Sequence, residues 1–165
     1  TTAAAAAASA TPKAENGPDN FNVKEFHREL SNALRDLASD RNVAAAVKRI
    51  RGQRVPVSCH TAEFVDVITR AAEEKRGPAR RSFFAFAAAL MASEDSAFDR
   101  SRCIEGIAVF FREVYQELCL EVPRLELIVT SEFLPALMSV APCHAQIAAA
   151  FPAEMRSHTG LWLSS

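Results

Sequence analysis

Apolar residues recur at intervals of three and four along most of the chain, and glycines and prolines punctuate the pattern. Val23, Phe26, Leu30, Ala33, Leu34 and Leu37 form the first stripe, as in a helix that buries one face. A second helix is expected from Val43 to about Ile50, capped by Asn42 and closed at "RGQRVP", where Gly52 and Pro56 break the repeat. The third, with Ser58 or Thr61 as its cap and Glu63 in its first turn, carries Phe64, Ile68 and Ala71 on one face. "EKRGPARR" ends it, and Pro78 suits the first turn of a fourth. The run "SFFAFAAALMAS" is apolar on nearly every side, so that helix should be buried around most of its circumference. Asp99 or Ser101 opens the longest element, with Ile104, Ile107, Phe110, Phe111, Val114 and Leu118 as its stripe. A sixth helix is expected near Pro123, holding Leu125, Ile128 and Val129. Pro135 either kinks it, or ends it near Phe133 and starts a short new one, since an interior proline removes a backbone hydrogen bond. "HAQIAAAF" could form a seventh. No segment sustains a period of two. The expected class is therefore all-α, about six or seven consecutive antiparallel helices joined by short turns.

The 165 residues suit one domain. With 49% apolar residues but a single Trp and a single Tyr, the core must be filled by Ala, Leu, Val and 11 Phe. Residues 1–20, "TTAAAAAASATPKAENGPDN", hold no large apolar side chain and read as a disordered linker. Residues 21–142 form the folded region. Residues 143–165 read as a C-terminal extension with up to one further helix, its Leu161, Trp162 and Leu163 either docking back or lying exposed. The chain opens on Thr rather than Met, as a segment of something larger would.

Charge narrows the function. Twenty acids against 19 Lys and Arg leave a net charge of −1, whereas a dedicated nucleic-acid binder carries a basic excess. No apolar run approaches the roughly 18 residues of a membrane helix. The N-terminus has neither the basic start nor the apolar block of a secretory leader. Four scattered cysteines, at 59, 103, 119 and 143, read as reduced thiols. A cytoplasmic protein, with the nucleus as a second compartment, is the expectation.

Little in the sequence carries catalytic chemistry. Cys59-His60 and Cys143-His144 invite a zinc reading, but adjacent side chains seldom converge on one ion, and no C-x₂-C or H-x₃-H spacing assists them. A packed thiol beside a surface imidazole is the plainer account. No third group completes a Cys-His nucleophile, and five scattered glycines make no phosphate loop. No enzyme, cofactor or metal is expected. Two basic clusters, Lys48, Arg49, Arg51, Arg54 and Lys75, Arg76, Arg80, Arg81, fall at turns between helices. Cations are favoured at helix C-termini by the macrodipole, and no aromatic residues interleave them as stacking platforms for bases. They could nevertheless meet RNA or an acidic protein surface. The stretch "ELCLEVPRLELIV" poses the sharper question. Glu117 and Glu121 stand four residues apart before Val122-Pro123. With a helix ending between them, both would project from one corner, either as helix-start acids or as charges that a partner reads.

That stretch resembles the acidic-x-x-Leu-Asp-(Val/Thr)-Pro signature of the MA-3 domain, found in programmed cell death protein 4 and in the large scaffold subunit of the eukaryotic cap-binding complex. "NVAAAVKRI" is similar to the family's second helix, "VPVSCHTAEFVDVITRAAEEK" to its third and "FDRSRCIEGIAVFFREVY" to its fifth. The resemblance covers roughly Phe21 to Ala141 and rests on the order and spacing of these short pieces. It implies a HEAT-like stack of antiparallel helical hairpins that docks a DEAD-box RNA helicase of the initiation factor 4A type, in translation initiation or its regulation. It also implies Glu117 and Glu121 as the contacting acids, flanked by Pro123 and Arg124. Both acids are Glu here where Asp is usual, which adds reach and a rotatable bond. Pro135 and the C-terminal extension fit the pattern poorly. The other readings are an RNA-binding helical module, or a scaffold segment of a splicing or ribosome-assembly factor.

Overall fold

The computed structural model describes residues 21–92 and 96–159. The expected linker at 1–20 and the Leu161–Leu163 segment lie outside the described residues. α1 (Val23–Asp40) starts at Asn22, whose side chain accepts from the Glu25 amide at 3.1 Å. It is followed by α2 (Val43–Arg51), capped by Asn42 as expected, with the Ala45 amide at 3.1 Å. α3 (Val57–Glu73) starts two to five residues earlier than the sequence suggests. Pro56 is its N-cap, so neither Ser58 nor Thr61 has that role, and Glu63 lies well inside the helix. α4 (Gly77–Ala92) exposes only Pro78 and Arg81 among its side chains, as its all-round apolar sequence requires.

α5 (Arg100–Val109) is capped by Asp99, which accepts from the Arg102 amide at 3.2 Å. It runs without a break through a π turn (Phe110–Val114) into α6 (Tyr115–Glu121). A short loop leads to α7 (Leu125–Ile128), which likewise passes through a π turn (Val129–Phe133) into α8 (Leu134–Val140). This resolves the two outcomes at Pro135. The helix does not end at Phe133. The Leu134 amide reaches back five residues to Val129, and the wide turn accommodates the ring at the start of α8. α9 (His144–Ala150) and a 3₁₀ turn (Ala153–Thr159) complete the described chain. Counting each continuous helix once, the described residues form seven helices and no strand.

These helices make an all-α stack around one core. α4 lies at its centre, against α1, α2, α3 and α8, while α5 packs on both α3 and α9. Gly106 permits the α3–α5 approach: a Cβ there would stand 3.2 Å from the Thr61 carbonyl oxygen and 3.4 Å from the Phe64 ring. Phe26, Phe64, Phe84, Phe86, Phe98, Phe110, Phe133 and Phe151 are fully buried, which is where the phenylalanine-rich composition goes. Ile147, Phe151 and Met155 belong to the same core, so the segment after Pro142 is packed onto the stack at least that far.

Candidate functional site: an acidic ridge on α6

The π turn decides what α6 shows to solvent. In an unbroken α-helix at about 3.6 residues per turn, Glu121 would stand five full turns beyond the buried Cys103, and Glu117 within about 40° of the same line. Both carboxylates would point into the core. The π turn takes up one extra residue: the Tyr115 amide donates to the Phe110 carbonyl, five residues back. That rotates everything after it by about 100°. Tyr115 and Leu118 turn inward and are buried. Glu117, Leu120 and Glu121 turn outward and are exposed. Val114, expected on the buried stripe, is displaced to its half-buried edge.

The helix therefore does not end between the two acids. Both belong to α6, and Glu121 is its last residue rather than the first of the next helix. Among the described residues, neither makes an ion pair or a side-chain hydrogen bond. Their placement does nothing for the fold. Like charges one turn apart repel by a few tenths of a kcal/mol, and a carboxylate in the last turn opposes the helix dipole at a cost of about 0.3–1 kcal/mol. Between them Leu120 is 84% exposed, the most exposed large apolar side chain among the described residues. Beyond Val122, the exposed Pro123 and Arg124 lead into α7, where Leu127 is 50% exposed. Pro123, Arg124, Glu126, Leu127 and Thr130 line an open groove of about 410 Å³. The surface of this corner thus offers unpaired negative charge beside exposed leucines.

The basic clusters are thinner as surfaces than as sequences. Arg49 is held by Glu29 and, at 2.8 Å, by Asp36. Arg76 pairs with Glu74 at 2.9 Å. Arg80 forks onto Glu132 at 2.7 and 3.0 Å, tying α4 to the π turn after α7. Lys48, Arg51, Arg54, Lys75 and Arg81 remain exposed without an ion pair among the described residues.

The cysteine–histidine pairs do not converge. His60 is a core residue, not a surface imidazole. It is 5% exposed and stacked on Phe98 at 4.8 Å. Its Nε2 donates to the Val55 carbonyl at 2.8 Å, and its Nδ1 accepts from the Asp99 amide at 2.8 Å. Both ring nitrogens are occupied by backbone groups, which fixes the orientation of the ring. Cys143 and His144 open α9, and Cys59, Cys103, Cys119 and Cys143 are all free thiols. Burial pushes the Cys103 thiol far above its ordinary range.

One cluster has no sequence signature. His27 of α1 meets Glu63 and Asp66 of α3. Glu63 is only 7% exposed, and His27 Nε2 lies 2.8 Å from its Oε1. Burial holds the Glu63 carboxyl above its ordinary value, while His27 pulls the other way.

None of the described helices is long and apolar enough to cross a membrane. Comparison of the chain with models of known protein families, with curated proteins and with solved structures gives no match.

Proposed function

We propose that the chain is a protein-binding module whose α6 ridge, Glu117, Leu120 and Glu121, with Pro123, Arg124 and the adjoining groove, docks a basic patch that has an apolar centre. The observation that carries this reading is a pair of unpaired carboxylates that bracket an almost fully exposed leucine. The arrangement is unfavourable for the isolated fold and complementary to such a partner. Charge-assisted bonds from Arg or Lys would satisfy the carboxylates, Leu120 would lose its water, and a rigid helix end limits the ordering cost of binding. The resemblance to the MA-3 domain supplies the partner class: the core of a DEAD-box RNA helicase of the initiation factor 4A type, with a role in translation initiation or its regulation.

The five cations around the α2 end and the α3–α4 turn that are unpaired among the described residues support a second reading, RNA binding. Calorimetric titration with the helicase core, beside a titration with single-stranded RNA at two salt concentrations, separates the two. Saturable helicase binding with weak or absent RNA binding supports the docking module. RNA binding that falls steeply with salt, without helicase binding, supports the alternative and overturns the first.

A further inference from the structure

We propose that His27, Glu63 and Asp66 form a binding site for a divalent cation of the zinc class, clasping α1 to α3. The three donor atoms, one imidazole nitrogen and two carboxylate oxygens, lie within 4.8 Å of one another. They come from two helices: Glu63 and Asp66 are three residues apart on one face of α3, and His27 reaches across from α1. Ligands around a tetrahedral zinc ion stand about 3.3 Å apart, at about 2.0–2.2 Å from the metal. An ion would draw the three donors in from their present separation, within 4.8 Å of one another, to that spacing.

The chemistry of the donors selects the ion. Imidazole disfavours Mg²⁺ and Ca²⁺, which take all-oxygen shells, and suits Zn²⁺ and its neighbours. Two carboxylates and a neutral imidazole would balance the charge of a divalent ion. Three protein ligands would leave a fourth position to water, and the half-exposed His27 and Asp66 leave a route in. Glu63 is buried with His27 as its one side-chain hydrogen-bond partner among the described residues. An ion there would satisfy the buried carboxylate more fully than that single bond does.

Among the described residues, Arg70 is the one cation that competes. Its Nε donates to Asp66 Oδ2 at 2.9 Å and its Nη1 to Ser31 Oγ at 2.9 Å. The Oδ1 atom of Asp66 has no hydrogen-bond partner among the described residues and can turn to the ion. Arg70 would then hold the other oxygen, orienting the ligand as outer-shell partners do. The site lies on α1 and α3, not on the α6 ridge, and does not depend on the docking function.

The test is a titration of chelator-treated protein with Zn²⁺, and in parallel with Co²⁺ followed by its visible spectrum. The expected result is one ion per chain at micromolar affinity, a rise in melting temperature, and a tetrahedral cobalt spectrum without a sulfur-to-cobalt band. Affinity should fall about 100-fold or more in His27→Gln and in Asp66→Asn, in proportion to the loss of a ligand rather than of an outer-shell contact. Asp66→Asn leaves the His27–Glu63 hydrogen bond in place, so its loss of binding would not reflect a broken helix contact. Absence of binding up to millimolar ion would overturn the proposal. So would unchanged affinity in both variants, or a sulfur-to-cobalt band, which would assign the ion to the cysteines.

Discussion

The amide of Tyr115 donates to the carbonyl of Phe110, five residues back, where an α-helix would use Phe111. This one displaced bond places Tyr115 and Leu118 in the core and Glu117, Leu120 and Glu121 outside it. A wide turn of this kind is equivalent to one inserted residue, and removing one residue should straighten the helix without changing the faces beyond it. Arg112 and Glu113 are exposed and, among the described residues, ion-paired only to each other, at 3.3 Å. Deletion of Arg112 should therefore give a folded protein melting within a few degrees of the parent, with Glu117 and Glu121 still on the surface. Deletion of Arg112 and Glu113 together rotates α6 by about 100° and should unfold or strongly destabilise the chain. Thermal melts followed by circular dichroism compare the two deletions. Equal tolerance of both would contradict the register argument.

The bidentate pair of Arg80 and Glu132, each side chain 15% exposed, joins α4 to the wide turn before α8. Arg80→Ala leaves a nearly buried carboxylate without its partner and should cost about 2–4 kcal/mol, somewhat below the cost at a fully buried pair. Arg80→Met with Glu132→Leu removes both charges and should fall within about 1 kcal/mol of the parent. Denaturant unfolding of the single and double variants measures both. A single variant as stable as the double would show that the pair does not hold these elements together.

At His60, the imidazole accepts from Asp99 and donates to Val55 while stacking on Phe98. His60→Ala orphans two backbone groups and opens a void, and should cost about 2–4 kcal/mol. Zinc should leave this site unaffected. A loss below 0.5 kcal/mol, on the order of a surface substitution, would mean that the core relaxes around the missing ring.

Glu63 has a pH signature. Its folded carboxyl is held above the ordinary value of 4.5, chiefly by burial. The folded state therefore binds this proton more tightly than the unfolded state does. The stabilisation from that proton is fully present below about 4.5 and is lost as pH rises through the higher folded value. In metal-free protein, the stability of the parent relative to Glu63→Gln should improve as pH falls from 7 towards 4. Melts of both proteins across that range give the difference. A difference independent of pH would mean that the folded carboxyl titrates normally.

Much of this fold was legible in the residues themselves. Asn42, and Asp99 as one of two candidates beside Ser101, announced their helices because a side-chain acceptor at the N-cap is a local signal. The stripe from Phe26 to Leu37 and the all-round apolar α4 needed only the helical period. The two π turns were not legible in that way, since each changes one backbone bond and leaves the local sequence helical. The trace that was present is a phase slip, from Phe110 to Tyr115 by five instead of to Val114 by four. Val114 was the natural choice because it keeps the three-four rhythm. For the same reason the acids looked like a corner between helices, whereas they form the outer face of one. The Pro-led start of α3 was missed because Ser58 and Thr61 offered side-chain acceptors, whereas Pro56 starts the helix without a side-chain cap hydrogen bond. The His27–Glu63–Asp66 cluster was invisible because its members are separated along the chain and meet only when α1 packs beside α3.

The central claim is that the α6 ridge is a docking surface, and charge reversal tests it most directly. Glu117 and Glu121 are exposed and unpaired among the described residues, so Glu117→Lys with Glu121→Lys should leave the melting temperature within a few degrees of the parent or slightly raise it. Lysine in the last turn suits the helix dipole better than glutamate. Calorimetric titration of parent and double variant with a DEAD-box helicase core of the initiation factor 4A type is the decisive measurement. The account predicts a loss of 100-fold or more in affinity, because like charges then face each other across the contact, at a cost of several kcal/mol. A double variant that melts normally and binds the helicase with the affinity of the parent would contradict it.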